Sequence, residues 1–236
     1  MSGCMAGTLY QINEMANDYA YFKRSQTRAL QEGAFFSKHA IERAFQSEVM
    51  LINQETQQMP QVGGKTIDVL FSPEEIAARN LALAKEIAGR DFHNLLTISI
   101  LKGSFIFAAD LIRAMHDAGV EPDVEFITVS SYGKGTTSTE VRLLRDIDSD
   151  VKDRDVLLID DILESGKTLK FVRELMIERG ARSVSIAVLL DKSVRRKVDL
   201  DADFVAFECP DYFVVGYGMD VAHSFRQLPY VGHVRD

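Results

Sequence analysis

Residues 156–169 read VLLIDDILESGKTL. Four apolar residues run into two adjacent aspartates, Asp160 and Asp161; Glu164 follows, and Ser165-Gly166-Lys167-Thr168 opens a helical pattern. An unbroken apolar run is what a strand covered on both faces requires, so the stretch predicts a buried strand of a parallel sheet. The turn after it suits an anion. A glycine and two hydroxyls at a helix start gather backbone N–H groups and the positive end of the helix dipole at one spot, and a phosphate fits there.

The same residues exclude a commoner phosphate loop. Gly-Lys-Thr also occurs in the Walker A pattern, but that pattern needs a glycine five places before its second one, and Asp161 stands there. Lys167 therefore belongs to the loop without having to touch a phosphate through its side chain. Carboxylates only accept hydrogen bonds, so Asp160 and Asp161 beside a phosphate site suit a ligand rich in donors, such as a ribose with free 2' and 3' hydroxyls. One acid at a strand end is ordinary in any α/β protein; two acids next to a phosphate loop favour a ligand role.

Outward from this stretch the pattern is α/β. KTIDVLF (65–71) reads as a strand, and Ser72-Pro73-Glu74-Glu75 as a helix start, with Ser72 at the N-cap, Pro73 at the first helical position and Glu75 closing a capping box. That helix runs to about Gly89. LLTISIL (95–101) reads as a buried strand, FIFAADLIRAMHDAG (105–119) as a helix ending at Gly119, and DVEFITVSSY (123–132) as a strand before the polar, two-glycine segment GKGTTSTE (133–140). TLKFVRELMIERG (168–180) places Leu169, Val172 and Met176 on one helical face, and SVSIAVLLD (183–191) is a further strand. The order predicts an α/β fold with a mostly parallel twisted sheet flanked by helices, its ligands beyond the carboxyl ends of the strands.

Composition bounds the function. A content of 46% hydrophobic and 26% charged residues is that of a globular chain. No apolar run approaches the ~18 residues of a membrane helix, and the first residues lack the basic start and apolar stretch of a secretory signal. A cytoplasmic location and no membrane partner are expected. A net charge of −8 argues against nucleic acid as the main partner. The basic run Arg195-Arg196-Lys197 reads as a solvated turn. Cys4 and Cys209 form neither a C-x-x-C nor a disulfide framework and are expected to be plain thiols. Residues 1–64 stand apart. Ile41, Phe45, Val49 and Ile52 predict one helix with an apolar stripe, and Pro60 with Gly63-Gly64 marks a boundary, so this part reads as an extension.

VLLIDDILESGKTL resembles the 5-phosphoribosyl-1-pyrophosphate (PRPP) signature of type I phosphoribosyltransferases. Three further stretches resemble the hypoxanthine-guanine branch of that family: ILKGSFIFAADL (100–111), SSYGKGTTSTEVRLLRD (130–146) and the run from LLDKSVRRK to LPYVG (189–232). Together they cover residues 65–235. The resemblance implies the type I phosphoribosyltransferase fold over 65–236, with a core of about 74–192 and a small hood from about 65–73 and 193–236. It implies transfer of the phosphoribosyl group from PRPP to hypoxanthine and/or guanine in purine salvage, with Mg²⁺ as cofactor and a homodimer or homotetramer as assembly.

Site residues follow from the same resemblance. Asp160 and Asp161 would hold the ribose and metal, and Ser165, Gly166, Lys167 and Thr168 the 5'-phosphate. Lys102, Gly103 and Arg226 would bind pyrophosphate, with a Leu101–Lys102 peptide that can be cis, and Asp220 would ligate Mg²⁺. Lys192 would donate to the purine 6-oxo oxygen, where adenine offers a donor instead; Phe213 would stack on the ring and Val214 read its edge through the backbone. Ser131 and Tyr132 would begin a lid. Glu164 would take the purine N7 proton.

The chain departs from the family pattern in two places: Asp160-Asp161 replaces Glu-Asp, and Glu164 replaces an aspartate. Glutamate remains a carboxylate but reaches one methylene further. Two rivals differ in class. A non-catalytic PRPP-binding regulator would need no purine-reading lysine; against a transferase for another base, the Lys192 and Phe213 stretches favour a 6-oxopurine over a pyrimidine without ranking hypoxanthine, guanine and xanthine.

Overall fold

In a computed structural model, the structure describes residues 61–62, 65–132 and 140–235. The expected helix around Ile41–Ile52 and the segment 133–139 lie outside the described residues. Among the described residues, ten strands and three helices follow in the order β1 (Gln61–Val62), β2 (Lys65–Phe71), α1 (Pro73–Ala88), β3 (Leu96–Leu101), α2 (Phe105–Asp117), β4 (Asp123–Tyr132) and β5 (Glu140–Arg145). The remainder are β6 (Asp155–Leu163), α3 (Lys167–Glu178), β7 (Ser183–Asp191), β8 (Phe204–Glu208), β9 (Val214–Val215) and β10 (Val231–Val234), with a short 3-10 turn at Ser193–Arg195.

Burial alternates along the central strands and explains their unbroken apolar sequence. On β6, Leu157 and Ile159 pack with Ile76, Leu83 and Ile87 of α1 and Phe107, Leu111 and Met115 of α2. Val156 and Leu158 turn to the other face and pack with Leu169, Val172 and Met176 of α3. Each strand residue thus has a helix opposite it, which is the condition for a parallel sheet. α1 begins as its sequence requires: Glu75 N–H donates to Ser72 Oγ at 3.2 Å, and Ser72 N–H donates back to Glu75 Oε2 at 2.8 Å.

The six-stranded sheet has the order β5-β4-β3-β6-β7-β8. β4, β3, β6, β7 and β8 are parallel, and β5 is antiparallel on one edge. The other edge, β8, is covered by Arg79 of α1, which donates to the Val205 carbonyl at 2.6 Å and the Ala206 carbonyl at 2.8 Å. From β3 the chain proceeds to β4 on one side, and from β6 to β7 on the other. The carboxyl ends of adjacent β3 and β6 therefore diverge, and a crevice opens between the loops that follow them. A second sheet, β1-β2-β10-β9, is antiparallel and joins β2 to strands more than 140 residues later. Ile67, Val215, Phe225 and Val234 form its buried centre.

At the opposite end of the main sheet, Asp155 ties the start of β6 to its neighbours. It accepts from the His93 amide at 2.6 Å, Ser183 Oγ at 2.6 Å, Arg182 Nε at 2.9 Å and also Arg182 Nη2. Burial pushes the carboxyl up, but Arg182, Ser183 and the His93 amide together hold it at about 2, below its ordinary 3.8. On acidification the unfolded chain takes up this proton first. The stabilisation is therefore complete above about pH 3.8 and is lost as the pH falls towards 2. Asp155→Asn is expected to lower the unfolding free energy at pH 7 by about 2–3 kcal/mol. Urea titrations at pH 7 and below pH 3 check this, because the gap between wild type and variant should shrink in acid.

Candidate active site

The crevice between β3 and β6 holds a cavity of about 270 Å³, lined by Lys102, Gly103, Asp160, Asp161, Ser165 and Thr168 among others. Each residue reaches it for a local reason. β6 remains a strand through its acids to Leu163, so Asp160 and Asp161 project from a rigid element. Asp160 is 8% exposed. Burial, followed by the neighbouring Asp161 charge, pushes its carboxyl well above the ordinary range. Burial also raises Asp161, against the opposing effect of hydrogen bonds from Asp160 and its own backbone and of the Arg226 charge. Two adjacent buried acids of this kind resist ionising together without a cation between them.

Glycines let three loops close on these acids. The Leu101–Lys102 peptide, which the resemblance left open, is cis. A Cβ on Gly103 would overlap the Asp161 carboxylate, and one on Gly218 would overlap the Gly103 carbonyl. Gly166 caps α3 at φ +78°, a left-handed conformation suited to glycine, and no side chain caps the helix. Apart from the Lys167 amide, which donates to Ser165 Oγ at 3.4 Å, the N–H groups of that first turn are the donors an anion would use.

The loop is braced from behind by a stretch that was expected to be a solvated turn. That expectation fails for Arg196, whose side chain is only 14% exposed. Its guanidinium donates to the Glu164 carbonyl at 3.2 Å, the Leu163 carbonyl at 3.4 Å, the Leu200 carbonyl and the Asp191 carboxylate. The Lys197 amide donates to the Ser165 carbonyl at 3.0 Å, and Val198 fills the space beside Gly166. A basic triplet carries no signal of this role, because burial of Arg196 depends on carbonyls brought by another strand. Arg195 is also engaged, with Nε 2.6 Å from Asp211 Oδ1.

Lys192 follows β7 and is 4% exposed. Its ammonium donates to Glu164 Oε1 at 2.9 Å and to the Tyr212 carbonyl at 2.9 Å, and lies 3.3 Å from Asp211 Oδ1. The sequence placed Lys192 and Glu164 in one site but did not pair them, and it missed Asp211. Phe213 is 57% exposed, while Val214 is buried in β9. Nearby Cys209 is buried, and burial raises its thiol above the ordinary value, which fits an inert cysteine.

Asp220 and Arg226 sit on the loop between β9 and β10. Arg226 Nη2 is 2.6 Å from Asp220 Oδ1, and its Nη1 donates to the Gly218 carbonyl at 2.6 Å. Tyr217, Ala222, His223 and Phe225 on this loop all have positive φ, a concentration of unusual backbone typical of ligand clamps. Ser131 and Tyr132 end β4. Among the described residues, no group of three or more His, Cys, Asp or Glu is placed to hold a metal, and no helix is long and apolar enough to cross a membrane.

A crevice at the switch point of a mostly parallel sheet, with buried paired acids and an open helix start, suits a phosphorylated sugar. The family model for the phosphoribosyl transferase domain matches residues 68–222, and the chain belongs to this family. It is 44% identical over 173 residues to the hypoxanthine phosphoribosyltransferase of Salmonella typhimurium, covering 72% of this chain and 96% of the relative. It is 43% identical over 173 residues to the hypoxanthine-guanine phosphoribosyltransferase of Streptococcus mutans, covering 71% and 93%. A crystal structure of a hypoxanthine phosphoribosyltransferase from Staphylococcus aureus superposes with a TM-score of 0.67 at 40% identity, covering 71% of this chain and 91% of that one.

Proposed function

We propose that the protein transfers the 5-phosphoribosyl group from PRPP to N9 of hypoxanthine and/or guanine, forming IMP or GMP and pyrophosphate. The observation that carries this is a buried lysine, Lys192, held 2.9 Å from Glu164 beside the phosphate crevice. A PRPP sensor has no use for that lysine. Ser165 to Thr168 bind the 5'-phosphate with the first-turn amides of α3. Asp160 and Asp161 accept from the ribose hydroxyls, and Lys102, Gly103 and Arg226 bind pyrophosphate, for which the planar guanidinium fork is well shaped. Lys192 donates to the 6-oxo oxygen, Phe213 covers the ring, and Val214 meets its edge. Ser131 and Tyr132 stand at the start of a lid.

Mg²⁺ fits these residues. Asp160 and Asp161 are adjacent and buried, and burial raises both carboxyls, so a cation beside them would favour their ionised forms. Asp220, on the β9–β10 loop and not grouped with that pair, would offer its carboxylate to Mg²⁺ on the pyrophosphate side. Sparse protein ligation is usual for this ion, which keeps waters and takes phosphate oxygens. When bound, it neutralises charge on the pyrophosphate leaving group. The chain's own residues do the rest: they hold PRPP in line with the base, exclude water, and move a proton from N7 to Glu164, which makes N9 the better nucleophile.

A spectrophotometric assay with PRPP, Mg²⁺ and each of hypoxanthine, guanine, xanthine and adenine tests the reading. Nucleotide from hypoxanthine or guanine is expected and none from adenine; product from xanthine alone would replace the substrate assignment, and no product from any 6-oxopurine would sink it. The brace behind the loop gives a second expected result. Arg196→Ala should raise the KM for PRPP by roughly 10- to 10²-fold through misplacement of the phosphate loop, and Arg196→Lys should not restore it, since one ammonium cannot span four oxygens. Residues 65–236 form the catalytic domain in this reading and residues 1–64 an extension whose last strand, β1, pairs with β2, so deletion of 1–58, which spares that strand, should leave turnover in place.

A further inference from the structure

Lys192 has no spare donor. An ammonium carries three N–H bonds, and three oxygens surround this one: Glu164 Oε1 at 2.9 Å, the Tyr212 carbonyl at 2.9 Å and Asp211 Oδ1 at 3.3 Å. At 4% exposure there is no open side from which a fourth partner could approach. A 6-oxo oxygen can reach the lysine only if one of the three withdraws.

The three are not held alike. The Tyr212 oxygen is backbone, followed directly by the ordered start of β9. Asp211 is gripped separately by Arg195 Nε at 2.6 Å. Glu164 lies on the loop after β6 with its side chain as exposed as that of Asp211 (38% and 39%), but its other cation, Arg195 Nη1, stands 3.8 Å away rather than 2.6 Å. Its carboxylate is therefore the one that yields.

We infer that the Glu164–Lys192 ion pair is a specificity gate, opened by a purine that carries an oxygen at position 6 and left shut by one that carries an amino group. The inference rests on the transfer reading above. The 6-oxo oxygen replaces one acceptor at Lys192 by another, and the displaced carboxylate becomes free to meet N7. An amino group brings a donor to a donor, so it cannot take the place of the carboxylate, and Glu164 stays bound to the lysine. Recognition at position 6 and release of the proton acceptor are then one event. The length of glutamate makes this device: aspartate would draw the carboxylate back by roughly 1.5 Å, one carbon–carbon bond.

Calorimetric titration of wild type, Glu164→Asp and Glu164→Gln with three nucleotides separates the gate from simpler effects. The ligands are IMP, AMP and purine riboside 5'-monophosphate, which has only hydrogen at position 6 and the same N7 as IMP. With the pair loosened or uncharged, both variants should bind IMP about 5- to 20-fold tighter than wild type, as for removal of a competing ion pair. Affinity for AMP and for the unsubstituted nucleotide should stay within twofold. Equal tightening of all three would assign the effect to charge near N7 and overturn the gate. So would unchanged IMP affinity in both variants while wild type still makes IMP. A wild type that neither binds IMP nor forms it from PRPP would instead overturn the transfer reading, and the gate with it.

Discussion

Glu164→Gln is expected to lower kcat by roughly 10²- to 10⁴-fold, the usual scale for loss of a general base, with the KM for PRPP within a few-fold of wild type. Glutamine keeps the length and one oxygen but cannot take the N7 proton. The split between kcat and KM matters because Glu164 also touches the brace: its carbonyl accepts from Arg196 at 3.2 Å. A disturbed loop would raise the KM for PRPP, whereas loss of the base alone would not. Steady-state kinetics at saturating purine, with PRPP varied, tell the two apart. Turnover within a few-fold of wild type would remove Glu164 from the base role.

Lys192→Met should have the largest effect on specificity. A site built to donate to a substrate oxygen discriminates against an analogue with a donor there by roughly 10⁴–10⁵. Methionine keeps an unbranched stem of similar volume in the buried position and removes the ammonium. The preference for hypoxanthine over adenine in kcat/KM should then fall below about 10², mostly through loss of hypoxanthine turnover. The variant is expected to fold, since Asp211 retains Arg195 at 2.6 Å and Glu164 can turn to solvent. A thermal melt alongside the two kcat/KM values checks this, and a preserved preference would place the reading of position 6 elsewhere.

Much of the core could be read from local pattern. β7 begins and ends where its sequence changes, because its central residues Ser185 to Leu190 are all buried and its ends are not. Ser72-Pro73-Glu74-Glu75 fixes a helix start through contacts within four residues, so no tertiary knowledge is needed. The phosphate loop and its acids are likewise contiguous. β5 was missed because its neighbours are glycine-rich and polar and its only sheet partner is β4, so it carries no double-sided apolar run. β8 and β10 were missed for their shortness.

The parts of the site that escaped notice are made of distant residues. Asp211 meets Lys192, and Arg196 meets the carbonyls of Leu163 and Glu164, through loops whose proximity is set by the fold rather than by spacing. Motif resemblance supplied names for some of these positions. It could not supply who pairs with whom before a substrate arrives.

The pairing of β2 with β10 has a consequence for biosynthesis. Ile67 to Phe71 hydrogen-bond to Val231 to Val234, so a strand translated before the whole parallel sheet waits for partners made after it. The phosphate-holding half, spanning β3 to β7, has all its strand neighbours except β8 by residue 191. The half that carries Val214 and Phe213 cannot be ordered until residues 231–234 have left the ribosome. A nascent chain stalled between those points would own a crevice for a sugar phosphate and no wall for a base, and Ile67 would be an exposed apolar strand residue for chaperones to meet.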